Sequence, residues 1–141
     1  MNIFSMLLAI LAGLFTTIEA SINTQLGKHI TPSVATLHSL ITGMTFFLVI
    51  NVLSGHIVRY QKVMTVNPIW LIGGFFGASI IYISSRTIPE LGITNTLILI
   101  LSGQLVSGLL IDAIINNQEI CVRKILGLVL FLAGAIIFLK D

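Results

Sequence analysis

Residues 3–25 read IFSMLLAILAGLFTTIEASINTQ, an apolar stretch that one acidic residue, Glu19, interrupts. A helix needs about 20 apolar residues to span a bilayer, within a range of about 17–25. The stretch is long enough and therefore predicts a transmembrane helix. Four further stretches of this kind follow, at residues 33–54, 68–85, 91–111 and 125–139. The last is short and would stand upright or thin the bilayer locally.

The composition leads to the same fold class. The chain has 141 residues, of which 56% are hydrophobic and 9% are charged. A soluble domain carries about 25% charged residues, so this chain has too few to cover a water-facing surface. Because no linker divides it, we predict an all-α integral membrane protein with one transmembrane domain over residues 1–141. Residues 1–5 contain no Lys or Arg, so we expect a membrane helix there and not a cleaved signal peptide.

The breaks between the predicted spans are polar or contain turn residues. They lie at residues 27–32, 55–67, 86–90 and 112–124. Pro32 and Pro68 are placed for the first turn of a helix, where a missing N–H costs nothing. Pro89 follows Arg86 and is expected to separate the third span from the fourth.

The basic residues in the loops do not clearly predict the orientation of the chain in the membrane. With five spans, one side of the membrane has four basic residues and the other has three, namely Arg59, Lys62, Arg123 and Lys124 against Lys28, Arg86 and Lys140. One hypothesis is dual topology, in which two chains pair as an inverted, antiparallel homodimer of ten helices. The alternative is that one orientation prevails by a small margin. Inverted repeats are the symmetry by which many secondary transporters build alternating access.

Glu19 is the most informative polar residue within the spans. Thr16 and Asn23 lie three residues before it and four after it, so the three share one helix face. Acids inside a membrane are expensive and commonly mark ion or substrate pathways. Glu19 could therefore bind a proton and a substrate in competition. In the alternative interpretation it is neutral, pairs with Arg86 or His38, or reaches the headgroups.

Three other spans contribute candidate cavity residues. His38 shares a face with Thr42 and Thr45 and could relay protons, although such a group is more often a satisfied helix contact. Tyr82 lies at the polar end of the third span, and Gln104 lies in the middle of the fourth, where an amide needs partners. The predicted substrate- or proton-binding residues are thus Glu19, Asn23, His38, Tyr82 and Gln104.

Glycines are predicted to serve helix packing. Small residues four positions apart let transmembrane helices approach closely, and one pair of this kind is Gly73 and Gly77. The full predicted packing set is Gly73, Gly77, Gly103, Gly108, Gly127 and Gly134.

Sequence signals for catalysis are lacking. The chain has no phosphate-cradling Gly-Lys loop, no nucleophile elbow and no His/Glu metal motif, and Cys121 is its single cysteine. The seven basic residues are scattered, so nucleic acid is not an expected partner. We expect no enzyme activity, no metal and no cofactor.

The polar and glycine positions resemble a known family. The run EASINTQLG at residues 19–27 is similar to the first-helix signature of the YdcZ-type five-helix proteins of the drug/metabolite transporter superfamily. The agreement continues in order with Ser39 and Gly43, Gly73-Gly74 and Gly77, Pro89 with Leu91-Gly92, Gly103-Gln104-Leu105 with Asp112, and Gly127 with Gly134. One departure is Glu19, where the family pattern often has glutamine.

The resemblance implies transport of small molecules across the bacterial inner membrane by dimers, sometimes of two paralogous chains. It also implies distant kinship to the small multidrug resistance proteins, whose first helix carries a key glutamate. We therefore predict a subunit of a secondary-active transporter that exchanges a small molecule with protons through Glu19. One alternative is a chain without transport of its own, either the non-transporting half of a heterodimer or another membrane assembly partner. The other alternative is a passive pore. The expected partners are the lipid bilayer, a second copy or a paralogous chain, and a small-molecule substrate.

Overall fold

A computed structural model describes residues 2–140 of the chain, and these residues form helices and turns without a strand. Within residues 2–140 there are five α-helices. They are α1 (Ile3–His29), α2 (Pro32–Leu53), α3 (Gly73–Leu91), α4 (Ile93–Ile114) and α5 (Val122–Phe138). Two 3₁₀ segments, His56–Thr65 and Pro68–Ile72, lie between α2 and α3.

Four helical segments are long and apolar enough to cross a membrane. They are α1, α2, the continuous helix Pro68–Leu91 and α4. The all-helical membrane architecture is therefore confirmed. The fifth helix, α5, has 17 residues, at the short limit for a span, so the fifth crossing stays a prediction.

Capping residues and prolines lie where helical segments begin. Thr31 precedes α2 and its hydroxyl oxygen accepts a hydrogen bond from the Val34 amide at 3.3 Å. Pro32 and Pro68 occupy the first turns of their helices, as predicted from their missing N–H. The turn between α1 and α2 is tight, since a Cβ added to Gly27 would lie 3.4 Å from the Pro32 Cα.

The structure differs from the prediction at the break 86–90. The helix α3 continues through Pro89 and ends at Leu91. A proline in the last turn removes one intrahelical hydrogen bond but leaves little helix beyond it to disrupt. The chain turns instead at Gly92, whose φ of 81° lies in the region that favours glycine.

The chain divides into two compact units, Met1–Glu90 and Leu91–Asp141. In the first unit α1 packs against α2, and α2 also contacts the 3₁₀ segment His56–Thr65. In the second unit α4 packs against α5. One transmembrane domain over the whole chain remains a prediction.

Large apolar side chains point outward, and the buried positions are mostly small. The buried hydrophobic residues are Ala20, Ala35, Ile88 and Ala135, and the buried polar ones are Asn23, Thr24, Thr36, Ser84, Ser85 and Thr96. This distribution suits a protein in lipid. Acyl chains solvate the exposed apolar side chains, and small residues let the helices approach closely.

Candidate functional site

Glu19 lies deep within α1. This helix continues to His29, four residues beyond the end predicted at Gln25, so its middle is at Thr16. At 1.5 Å per residue, Glu19 is about 15 Å from the end of the helix. The acid is therefore nearer to the middle of the helix than the sequence indicated, where a charge is most expensive.

A cluster of three polar side chains joins α1 to α2. The Asn23 amide Nδ2 donates to Glu19 Oε1 at 3.2 Å and to Ser39 Oγ at 3.2 Å. The Ser39 hydroxyl in turn donates to Glu19 Oε1 at 3.4 Å. Asn23 is buried, whereas Glu19 and Ser39 are half-buried. Every donor in this cluster finds an acceptor, which is the condition for placing polar groups in an apolar interior.

The charge of Glu19 is not balanced by a cation within this cluster. Its two hydrogen-bond donors, Asn23 and Ser39, are neutral, and both bonds end on Oε1. The interpretation in which Glu19 pairs with Arg86 or His38 therefore has no support in the hydrogen bonds described for residues 2–140. The carboxylate therefore has hydrogen-bond donors but no counter-ion among the contacts described for residues 2–140.

The cluster opens into a cavity of about 720 Å³. The lining is mostly apolar, with Glu19, Asn23, His38, Ser39 and Thr42 as its polar members. An apolar cleft with a few convergent polar groups is the usual form of a small-molecule site.

His38 reaches this cavity from α2, but its polar neighbours on that helix are satisfied locally. The Thr42 hydroxyl donates to the His38 carbonyl at 2.9 Å, and the Thr45 hydroxyl donates to the Ile41 carbonyl at 2.8 Å. The imidazole itself is exposed and lines the cavity. The structure thus brings together three of the predicted site residues, Glu19, Asn23 and His38.

Two predicted site residues lie elsewhere. Ile81 of α3 lines the cavity, whereas its neighbour Tyr82, 38% exposed, is not among the lining residues. Gln104 lines a second cavity of about 450 Å³ within the α4–α5 unit, together with Gly108, Asp112 and Lys124. Gln104, Gly108 and Asp112, spaced four residues apart on α4, therefore face one cavity of that unit.

The predicted packing glycines are open in the single chain. A Cβ added at any of Gly73, Gly77, Gly103, Gly108, Gly127 and Gly134 would have no atom within 4 Å. Their role in packing stays a prediction.

Ser39 is the site residue that sequence reasoning missed. It appeared only among the residues that resemble the family, with no role assigned. Its link to Glu19 spans twenty positions in sequence and depends on how α1 and α2 pack. The spacing that aligns Glu19 with Asn23 on one helix says nothing about a partner on another helix.

The model of the family described as "Putative inner membrane exporter, YdcZ" matches the chain over residues 4–137. No curated protein and no solved structure gives a significant match. The family match spans nearly all of the chain, including both units and both cavities. It supports a transporter role in place of an enzymatic one, in a protein that crosses the inner membrane several times. The chain therefore belongs to the YdcZ family of inner membrane exporters.

Proposed function

We propose that this chain is a subunit of a secondary-active transporter that exchanges a small molecule with protons, and that Glu19 is the coupling carboxylate. One observation carries the proposal. The half-buried carboxylate of Glu19 faces an open, mostly apolar cavity and is held by neutral donors alone.

Competition at one carboxylate is a direct way to couple two fluxes. When Glu19 is protonated the cavity is neutral, and when Glu19 is ionised it attracts a cationic substrate. Because the cavity has few polar groups, an ionised carboxylate without a ligand is costly in it. The cost favours states in which either a proton or a substrate occupies the site, and alternation between those states is exchange.

Asn23 and Ser39 orient the carboxylate in this scheme. Their hydrogen bonds converge on Oε1, so neither of them occupies Oε2. His38, at the wall of the same cavity, is placed to bind an anionic part of a substrate or to pass protons. Tyr82 and Gln104 do not line this cavity, and their part in a substrate path stays a prediction.

The proposed assembly is an antiparallel pair with ten helices. The nearly even split of basic residues across the membrane supports insertion in both orientations. The cavity at Glu19 is open in the single chain, and the open glycine faces on α3, α4 and α5 offer close-packing surfaces for a second chain. Two inverted copies would give the symmetry on which alternating access depends.

Solid-supported-membrane electrophysiology on the purified protein in liposomes tests the function. Organic cations, anions and neutral metabolites would be screened at two pH values, with Glu19→Gln measured in parallel. We expect a saturating, pH-dependent current that the substitution abolishes, because glutamine keeps the hydrogen-bonding shape but cannot release a proton.

Four results would contradict different parts of the proposal. A current of the same pH dependence in Glu19→Gln would remove Glu19 from coupling. A large current that does not saturate would indicate a passive pore. Silence across the screen, followed by activity when a paralogous chain is co-reconstituted, would identify the non-transporting half of a heterodimer. A cysteine-accessibility map that places each loop on one side only would exclude dual topology.

A further inference from the structure

The segment that follows α2 folds back onto that helix. Gly55, with φ of 68°, ends the helical path in a conformation that disfavours other residues. The next ten residues, HIVRYQKVMT, form the 3₁₀ segment His56–Thr65, which contacts α2. Since α2 is a membrane span that ends at Leu53, this segment lies where the span leaves the hydrocarbon.

The 3₁₀ geometry aligns the basic residues of this segment. A 3₁₀ helix has three residues per turn, so side chains three positions apart lie in one row. His56, Arg59 and Lys62 are spaced by three and form such a row. With a rise of about 2 Å per residue, consecutive members are about 6 Å apart, so that two of them can reach one phosphate group.

An open cavity of about 750 Å³ lies between this basic row and α2. Its polar end has His56, Arg59 and Tyr60, and Asn51 lies at the end of α2. Its apolar side follows α2 away from that end, along Leu48, Phe47 and Met44. The cavity thus changes from cationic to apolar over about two turns of a membrane helix.

The positive charge at this place has no acidic neighbour in sequence. No Asp or Glu occurs between Glu19 and Glu90. That interval contains the whole of α2, both 3₁₀ segments and most of α3. Glu19 is engaged with Asn23 and Ser39. A guanidinium at a membrane boundary without a carboxylate partner is well matched to an external phosphate.

We propose that this cavity is a binding site for one anionic phospholipid, with the headgroup phosphate on Arg59 and His56 and an acyl chain along Phe47 and Met44. The charge pattern selects an anionic headgroup, and the apolar side selects a ligand that carries a hydrocarbon chain. A free phosphate would use only the cationic half of the cavity.

Native mass spectrometry of the full chain in a non-ionic detergent tests this site. The protein would be titrated with phosphatidylglycerol, and with phosphatidylcholine of the same acyl chains as the zwitterionic control. We expect phosphatidylglycerol to bind at least about fivefold more tightly, since one cation near the headgroup level is worth about that factor. Arg59→Gln should abolish the preference, and Arg59→Lys should keep most of it.

Matched variants distinguish a specific lipid site from a general attraction of anionic lipids to basic residues. Arg123→Gln removes a basic residue from the first turn of α5 in the second unit, so it should leave the lipid preference unchanged. Phe47→Ala should weaken both lipids, because it removes part of the acyl-chain wall. If Arg59→Gln fails to fold, as judged by circular dichroism, the Arg59→Lys and Phe47→Ala results decide.

Three results would overturn the proposal. The first is equal binding of the two lipids to the unchanged protein. The second is an equal loss of phosphatidylglycerol in Arg59→Gln and Arg123→Gln. The third is displacement of phosphatidylglycerol by an equal concentration of glycerol 3-phosphate, which would make the site one for free anions. The readout is lipid binding alone, so it is independent of whether the chain transports anything.

Discussion

The two units of the chain each place one acidic side chain at an open cavity, but they balance its charge differently. In the first unit Glu19 lies deep in α1 and receives hydrogen bonds from neutral Asn23 and Ser39. In the second, Asp112 lies two residues from the end of α4, accepts from the Asn116 amide at 3.0 Å and shares its cavity with Lys124. The acid near the helix end thus shares its cavity with a lysine, whereas the acid deep in α1 is held by neutral donors.

The interiors of the two units also differ, in the number of polar residues that they bury. Five of the buried polar residues belong to the first unit, and Thr96 alone belongs to the second, among residues 2–140. Buried polar groups specify one arrangement of helices only when their partners are satisfied. In the first unit this condition holds at Asn23, Thr36 and Ser84, whereas the hydroxyls of Thr24 and Ser85 have no partner. The first unit therefore has the more organised polar interior, and the second offers mainly helix surface to lipid or to another chain.

The largest expected effect separates the two acids. Glu19→Gln should reduce flux driven by a pH gradient to the level of empty liposomes, because the site can no longer exchange a proton. Asp112→Asn should change it by less than about twofold, since Asp112 lies two residues from the end of α4 and does not line the Glu19 cavity. The flux would be measured with the substrate that the electrophysiological screen identifies. Loss of coupling in Asp112→Asn with retention in Glu19→Gln would invert the contrast between the units.

A smaller effect is expected from the amides of the two cavities. Asn23 is 4% exposed and donates to two acceptors, so Asn23→Ala should lower the free energy of unfolding by about 1–3 kcal/mol. Gln104 is exposed in the middle of α4, so Gln104→Ala should change it by less than about 0.5 kcal/mol.

Thermal unfolding of both variants in detergent would measure this difference. An equal loss in the two variants would mean that Gln104 is covered in the assembled protein. It would also end the view that only the first unit has an organised polar interior.

Two adjacent serines sharpen the description of that interior. Ser84 and Ser85 are both buried in α3, but the Ser84 hydroxyl donates to the Ile80 carbonyl at 2.8 Å, whereas the Ser85 hydroxyl has no partner. Ser85→Ala should be more stable than Ser84→Ala by about 1–2 kcal/mol, because only Ser84 loses a bond and Ser85 loses an unsatisfied group.

The gain in helix propensity on replacing serine with alanine is common to both variants and cancels in their difference. Chemical unfolding of the two variants side by side would measure the difference in their free energies of unfolding. Equal stabilities would show that the Ser85 hydroxyl is satisfied in the assembled protein.

The parts of the fold that the sequence predicted are those fixed by local chemistry. Apolar length located α1, α2 and α4 to within four residues at each end, and the missing proline N–H placed Pro32 and Pro68. The 3₁₀ segment His56–Thr65 was predicted only as a loop, because its order depends on the turn at Gly55 and on contact with α2. The break at residues 86–90 was misplaced, since Gly92 and not Pro89 ends the path of α3.

The candidate site was predictable only in part, for a similar reason. Spacing along one helix identified Glu19 and Asn23 as neighbours, and the structure joins them at 3.2 Å. Ser39 lies on another helix, so its contact with them follows from packing that no period in the sequence encodes. Gln104 was grouped with the Glu19 site because both are polar residues in membrane helices, yet it lines a cavity of the other unit.

The smallest expected effect concerns Ser39, whose bond to Glu19 is the longest in the cluster at 3.4 Å. Ser39→Ala should slow coupled flux by about two- to tenfold, the equivalent of one hydrogen bond. Ser39→Thr, which keeps the hydroxyl, should restore most of it.

The control is Thr42→Val one turn along α2, because the Thr42 hydroxyl lines the same cavity but bonds to its own helix at His38. Initial rates of pH-driven flux would be compared at equal protein density. If Thr42→Val slows flux as much as Ser39→Ala does, the effect comes from the polarity of the cavity and not from orientation of Glu19. The cluster would then reduce to Glu19 and Asn23 on a single helix, and α2 would serve only as the wall opposite them.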